Sequence, residues 1–189
     1  MKNMSELAVD LAYGSVLFDD PDLAAAVEKL EVEVDALKSR FEAWALRAAA
    51  ETEDPVAIRG LLHIAASTEV ISDAAAEISE GVLRGLGSHP VVQAAVEDSD
   101  EVLVSRTVAP GSDLDGTTIG EAAVRTTTGM SVIAVRRGTD TGDTAAAGDV
   151  AAATDWILTP PPETELRADD TLIAKGTRTG ADRLDGLTS

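Results

Sequence analysis

The chain has 189 residues, 44% of them hydrophobic and 3% aromatic, with 34 Asp and Glu against 15 Lys and Arg and a formal net charge of −19. Such an acidic balance repels phosphate backbones and argues against a nucleic-acid partner; the lack of cysteine excludes disulfides, thiolate metal sites and a cysteine nucleophile. No apolar run reaches the roughly 18 residues of a membrane-spanning helix, and the start lacks the basic-then-apolar pattern of a signal peptide. A cytoplasmic protein without direct membrane insertion is therefore expected. Many Ala, Thr and Asp beside few Lys is a halophilic type of composition, in which acidity serves solvation in high salt, where surface charges are strongly screened.

The first predicted helix covers residues 5–18, with Asn3 and Glu6 spaced as a capping box and Leu7, Leu11, Gly14 and Phe18 on one stripe. Asp20 then reads as an N-cap with Pro21 at the first helical position, opening a helix to about Glu51. Along it Leu23, Val27, Leu30, Val34, Leu37, Phe41, Trp44 and Ala48 alternate steps of four and three, the seam of helices packed at a shallow angle. After Asp54-Pro55 the pattern recurs in Leu61, Ile64, Thr68, Ile71, Ala75, Ile78 and Val82, ending at Gly85 and Gly87. A short fourth helix from Pro90 carries Val91, Val92, Ala95 and Val96. Helices of about 30 residues span roughly 45 Å, so an elongated antiparallel bundle is predicted.

Two carboxylate pairs sit four residues apart, Glu31 with Asp35 and Glu69 with Asp73, each on one helical face. A turn centred near residues 52–53 places Asp35 opposite Glu69 and Glu31 opposite Asp73. If the pairs face one side, the four would hold a divalent cation such as Mg²⁺ or Mn²⁺ through oxygen ligands; otherwise they form a solvated acidic face. The segments Glu6-Leu-Ala-Val-Asp10-Leu-Ala-Tyr13, Leu30-Glu31-Val-Glu-Val-Asp35 and Glu69-Val-Ile-Ser-Asp73-Ala resemble PhoU-like helical bundles over residues 5–98. That resemblance implies metal binding by Glu-x-x-x-Asp motifs in some members and a role in phosphate uptake. The chain has room for one of the two three-helix repeats of full PhoU proteins.

Beyond Glu101 the helical period gives way to β-rich runs. Residues 102–108 read as a strand closed by Pro110-Gly111, residues 117–128 as a helix ended by Gly129, residues 131–136 as a fully apolar and therefore central strand, and residues 171–175 as another. Residues 155–158 add a further strand, and residues 139–154 read as a polar hairpin insertion. Pro160-Pro161-Pro162 is either a rigid connection or a pocket wall.

The words from Val108-Ala-Pro110-Gly111 to Gly120-Glu121, from Gly129-Met130-Ser131-Val132 to Arg137-Gly138, and from Ala168-Asp169-Asp170 to Lys175-Gly176 resemble the C-terminal domain of TrkA-type potassium-transport regulators, RCK_C. A glycine is usual where Asp169 stands, so that turn departs from the pattern. The resemblance implies a homodimer that binds a small ligand, cyclic di-AMP in some members, in a groove between protomers. Val132, Ile133, Ala134 and Val135 would floor it, and Arg136 or Arg137 would supply a guanidinium suited to phosphate; alternatively these arginines pair with nearby Asp residues.

No Gly-x-Gly-x-x-Gly fingerprint is present, and His63 and His89 lack the context of a catalytic set, so the chain is not expected to be an enzyme. Trp44 and Trp156 read as core or interface residues. The expected architecture is α+β in two domains: an all-α PhoU-like bundle over 1–98 and a small α/β RCK_C domain over 99–189. The expected function is regulation of potassium transport, with a membrane potassium channel or transporter as partner; the alternative is a metal-binding regulator of phosphate uptake.

Overall fold

A computed structural model describes residues 1–85, 101–138 and 156–189. The predicted fourth helix, His89 and the predicted insertion at 139–154 lie outside the described residues. The fold is α+β and divides into two compact units, Met1–His89 and Pro90–Ser189.

The first unit contains α1 (Lys2–Phe18), α2 (Pro21–Glu51) and α3 (Val56–Leu83). The expected Asn3–Glu6 capping box does not form. The Met1 carbonyl already accepts from Met4 and Ser5 N–H, and Glu6 pairs with Lys2, one turn back on the same helix, so α1 begins before Asn3. Asp19 closes α1 in the left-handed conformation (φ 50°), and Asp20 caps α2 by accepting from Asp22 and Leu23 N–H at 2.9 and 3.0 Å, with Pro21 at the first helical position as expected. The buried side of α2 follows the predicted seam through Leu23, Val27, Leu30 and Val34. It then shifts to Ala45, leaving Trp44 52% exposed with its ring against Phe41, so the seam reading of Trp44 is corrected.

A larger correction concerns α3. Its inward face is Ala65, Thr68, Ser72, Ala75, Ser79 and Val82, whereas Leu61, Ile64, Ile71 and Ile78, predicted as core, are exposed. Small side chains let α3 pack closely on α1 and α2, and the buried Thr68 and Ser79 hydroxyls are satisfied by the carbonyls of Ile64 and Ala75 one turn back. The bulky residues fall on the neighbouring stripe.

In the second unit β1 (Val102–Thr107), β2 (Ser131–Arg136), β3 (Trp156–Leu158) and β4 (Thr171–Gly176) form an antiparallel sheet in the order β1-β4-β2-β3, with β2 central as predicted. A bulge between Val132 and Ala134 breaks the β2–β4 register, and the Ile133 carbonyl accepts from Thr159 N–H instead. The core gathers Val108, Leu114, Met130, Val135, Leu172 and Leu184.

The helix predicted over 117–128 is reduced to α4 (Val124–Thr128). Residues 116–120 instead bond to residues 162–166, through Gly116 to Leu166, Ile119 to Thr164 and Gly120 to Pro162, and Ala123 turns left-handed (φ 47°) immediately before α4. Thr118 and Glu121 form a reciprocal capping box within this turn, and the hydrogen bonds from the Thr118 backbone and hydroxyl lower the Glu121 carboxyl pKa. A further helix, α5 (Arg178–Thr188), follows β4 and was not expected from the sequence. Thr177 caps it by accepting from Gly180 N–H at 3.1 Å, and Ala181 and Leu184 enter the core. Gly180 is required there because a Cβ would stand 2.8 Å from the Thr128 carbonyl oxygen.

Candidate functional site

The strand β2 carries five of the six residues predicted to line a ligand groove, and Arg137 follows directly after its end. Ala134 and Val135 are fully buried, Val132 is partly buried against the core, and Ile133 is half-buried at the bulge. The two arginines at the end of the strand have separate surroundings. Arg136 pairs across the sheet with Trp156 in register, and its guanidinium lies 4.8 Å from the centroid of that indole, a cation–π contact. The Trp156 Nε1 is buried and has no hydrogen-bond partner among the described residues.

Arg137 turns to Asp170, the first residue before β4. Its Nη1 donates to Asp170 Oδ2 at 2.5 Å and to the Glu165 carbonyl at 2.8 Å. Asp170, with only 2% of its side chain exposed, also accepts from Arg167 N–H at 3.0 Å and Gly138 N–H at 3.1 Å. A buried carboxylate with donors on both oxygens is a structural joint, since an unpaired charge at this depth would be strongly destabilising. Asp115, half-buried, makes a second joint: its two oxygens accept from Ala168 N–H at 3.0 Å and Gly111 N–H at 2.9 Å. Between them lies a cleft of about 430 Å³ lined by Asp115, Arg137, Gly138, Arg167, Asp169 and Asp170. Asp169, standing where the family resemblance leads to glycine, adopts φ 68°, so the turn keeps the left-handed geometry that glycine would supply. Asp115 was not singled out from sequence; its signal was its place between Gly111 and Gly116, two glycines with φ 78°.

In the bundle, α2 and α3 bring three of the four predicted carboxylates together. Acidic oxygens of Glu31, Asp35 and Asp73 lie within 4.8 Å of one another. Glu69 is held elsewhere, in an ion pair with Lys38 one turn further along, and the hydrogen bond that Lys38 donates to Glu69 raises the Lys38 pKa. The antiparallel packing thus aligns Glu31 with Asp73 as the spacing predicted, while Lys38 captures the carboxylate expected opposite Asp35. Desolvation raises the Glu31 carboxyl pKa, with repulsion from Asp35, Asp73 and Glu28 adding to it. Glu28, Glu77 and Glu80 extend the acidic groove along the same helices. Three oxygen donors from two helices fit a hard divalent cation, whose charge would offset this repulsion.

Among the described residues no helix is long and apolar enough to cross a membrane. Residues 103–187 match the TrkA-C domain model, and residues 1–82 match the PhoU domain model. None of the curated protein sequences matches the chain. Among solved structures, the RCK_C domain dimer of S. agalactiae BusR in complex with c-di-AMP is 18% identical, with 48% of this chain and 93% of that chain covered at a TM-score of 0.37. The GsuK RCK domain is 23% identical at a TM-score of 0.34, with 62% of this chain covered; this chain spans 21% of that one. S. agalactiae BusR in complex with its busAB-promotor DNA is 13% identical at a TM-score of 0.36, with 100% and 97% covered. The chain thus joins a PhoU domain, residues 1–82, to a TrkA-C domain, residues 103–187.

Proposed function

We infer that this protein is a non-catalytic, cytoplasmic regulatory subunit of potassium transport, a homodimer whose TrkA-C domain senses a small anionic ligand and whose bundle passes that state to a membrane channel or transporter. The observation that carries this reading is the TrkA-C match across residues 103–187, which contain the four-stranded sheet except for Val102 at the start of β1. For the signal to pass, the ligand must favour one dimer arrangement over another. Arg136 is the cation to test first, because it stands over a half-buried indole at the end of a central strand, a setting that suits a phosphate beside a stacking base. Arg137 is engaged by Asp170 and would have to leave a buried carboxylate to reach a ligand.

The ligand named for the BusR domain, cyclic di-AMP, is the first probe. Calorimetry on the full chain is expected to record binding of one cyclic dinucleotide per two chains, lost in Arg136→Ala with the fold intact. No heat with the wild-type protein, together with unchanged potassium uptake in cells lacking it, would reject the reading.

A second reading, metal-dependent regulation of phosphate uptake, is favoured by the Glu31, Asp35 and Asp73 cluster. Elemental analysis after dialysis against Mn²⁺ separates the two. Bound metal that disappears in Asp35→Ala supports it, whereas unchanged potassium signalling in that variant would demote the cluster to a structural feature.

A further inference from the structure

The bulky residues that α3 leaves outside the bundle are ordered. Ile64, Ile71 and Ile78 recur every seven residues and are 65%, 47% and 36% exposed. Between and beyond them, also every seven residues, stand Gly60, Ser67, Ala74 and Gly81. Together they make a second seam with steps of four and three, separate from the Thr68, Ala75 and Val82 line that the bundle buries. No member of this seam is charged, on a chain with a net charge of −19. Two copies meeting along this stripe therefore bring no charged side chain of the seam into contact.

The order of the seam is the same from either end: glycine, isoleucine, small, isoleucine, small, isoleucine, glycine. We propose that this face of α3 packs against the same face of a second copy, antiparallel, about a two-fold axis at Ile71. Mirror order makes the stripe complementary to itself under a two-fold rotation, which is what an isologous contact demands of its surface. The axis sets Ile71 against its own copy, Ile64 against the partner's Ile78, and Ser67 against the partner's Ala74. The layers of small residues let the two helices approach closely while the isoleucines fill the space between them.

The flank decides the direction. Next to the seam, on its solvent side, lie His63, Val70 and Glu77, and Val70 is 63% exposed. Antiparallel pairing puts Val70 beside its own copy and the His63 ring N–H beside the carboxylate of the partner's Glu77, twice by symmetry. Parallel pairing would bring this flank against the line that already faces the bundle. The contact is carried by the bundle alone and stands whether or not the TrkA-C domain binds a nucleotide.

The chain has no cysteine, so single introduced thiols report the geometry cleanly. Oxidation of the full-length Ile71→Cys and Val70→Cys proteins is expected to give covalent dimers. Ile64→Cys alone should stay monomeric on a denaturing gel, because two copies of residue 64 would be separated by about 21 Å along the helices, beyond a disulfide's Cα reach of roughly 7 Å. Mixing Ile64→Cys with Ile78→Cys should restore the cross-link. Val32→Cys, 63% exposed on α2, measures random collision, and circular dichroism confirms that each variant is helical. Val70 points to solvent, so its variant tests the contact even if Ile71→Cys misfolds. The proposal is overturned if neither axial variant cross-links faster than Val32→Cys, which would leave the face to another protein, or if Ile64→Cys cross-links with itself as readily as Ile71→Cys, which would mean a parallel pair.

Discussion

Asp170 and Arg137 belong to words that resemble a ligand-sensing family, and the sequence alone leaves open whether the arginine meets a ligand or an acid. Burial resolves the acid's part: Asp170 is enclosed, with Arg137 and two backbone N–H groups on its oxygens. Replacing Asp170 by Ala should destabilise the C-terminal unit by about 3 kcal/mol, since the donors lose a charged acceptor in a partly dry site. Urea unfolding measures this, and a loss within experimental error of zero would mean that water replaces the carboxylate freely. Asp169 illustrates the same limit. Its departure from glycine is visible in the sequence, but that the turn keeps a positive φ is a property of the closed structure, where the Val108 carbonyl accepts from Asp169 N–H at 2.8 Å.

At the scale of elements, the periodicity of α2 and α3 was legible because steps of four and three are repeated over many turns. Which of two adjacent stripes on α3 faces inward was not. Hydrophobicity favours the isoleucines, whereas close approach of three helices favours Ala65, Ser72 and Ser79, and packing prevailed. The helix α5 is not legible in the sequence for a related reason: it contains two glycines and few apolar residues, and its formation depends on Ala181 and Leu184 finding the core. The carboxylates between α2 and α3 make a testable element. Glu31 has a folded-state pKa above its ordinary 4.5. The stability associated with its protonated form is therefore fully present below that ordinary value and is lost as pH rises through the raised one. Glu31→Gln should accordingly melt at a higher temperature than wild type at pH 7, with the advantage fading below about pH 4. Thermal melts across that range check it; an equal or lower melting temperature at pH 7 would contradict the direction.

For the whole molecule, the dominant quantity is the charge of −19 on 189 residues. Like charges destabilise a compact chain, and the distance over which they act shrinks from about 10 Å at 0.1 M salt to about 3 Å at 1 M. Thermal stability should therefore rise by several degrees between 0.1 and 2 M NaCl, as followed by circular dichroism; unfolding on addition of salt would reverse the interpretation of the acidity. The sequence by itself determined what repeats or what is locally encoded: two kinds of fold joined in one chain, the proline-marked starts of the long helices, the central strand, and the candidate arginines and carboxylates. Only the tertiary structure decided what depends on neighbours distant in the chain, namely that Lys38 takes Glu69, that Asp170 takes Arg137, that the 117–128 segment breaks to meet Pro162, and which stripe of α3 is left outside. Periodicity records the faces a helix possesses, but the choice among them is made by volume and hydrogen bonding between segments that meet only on folding.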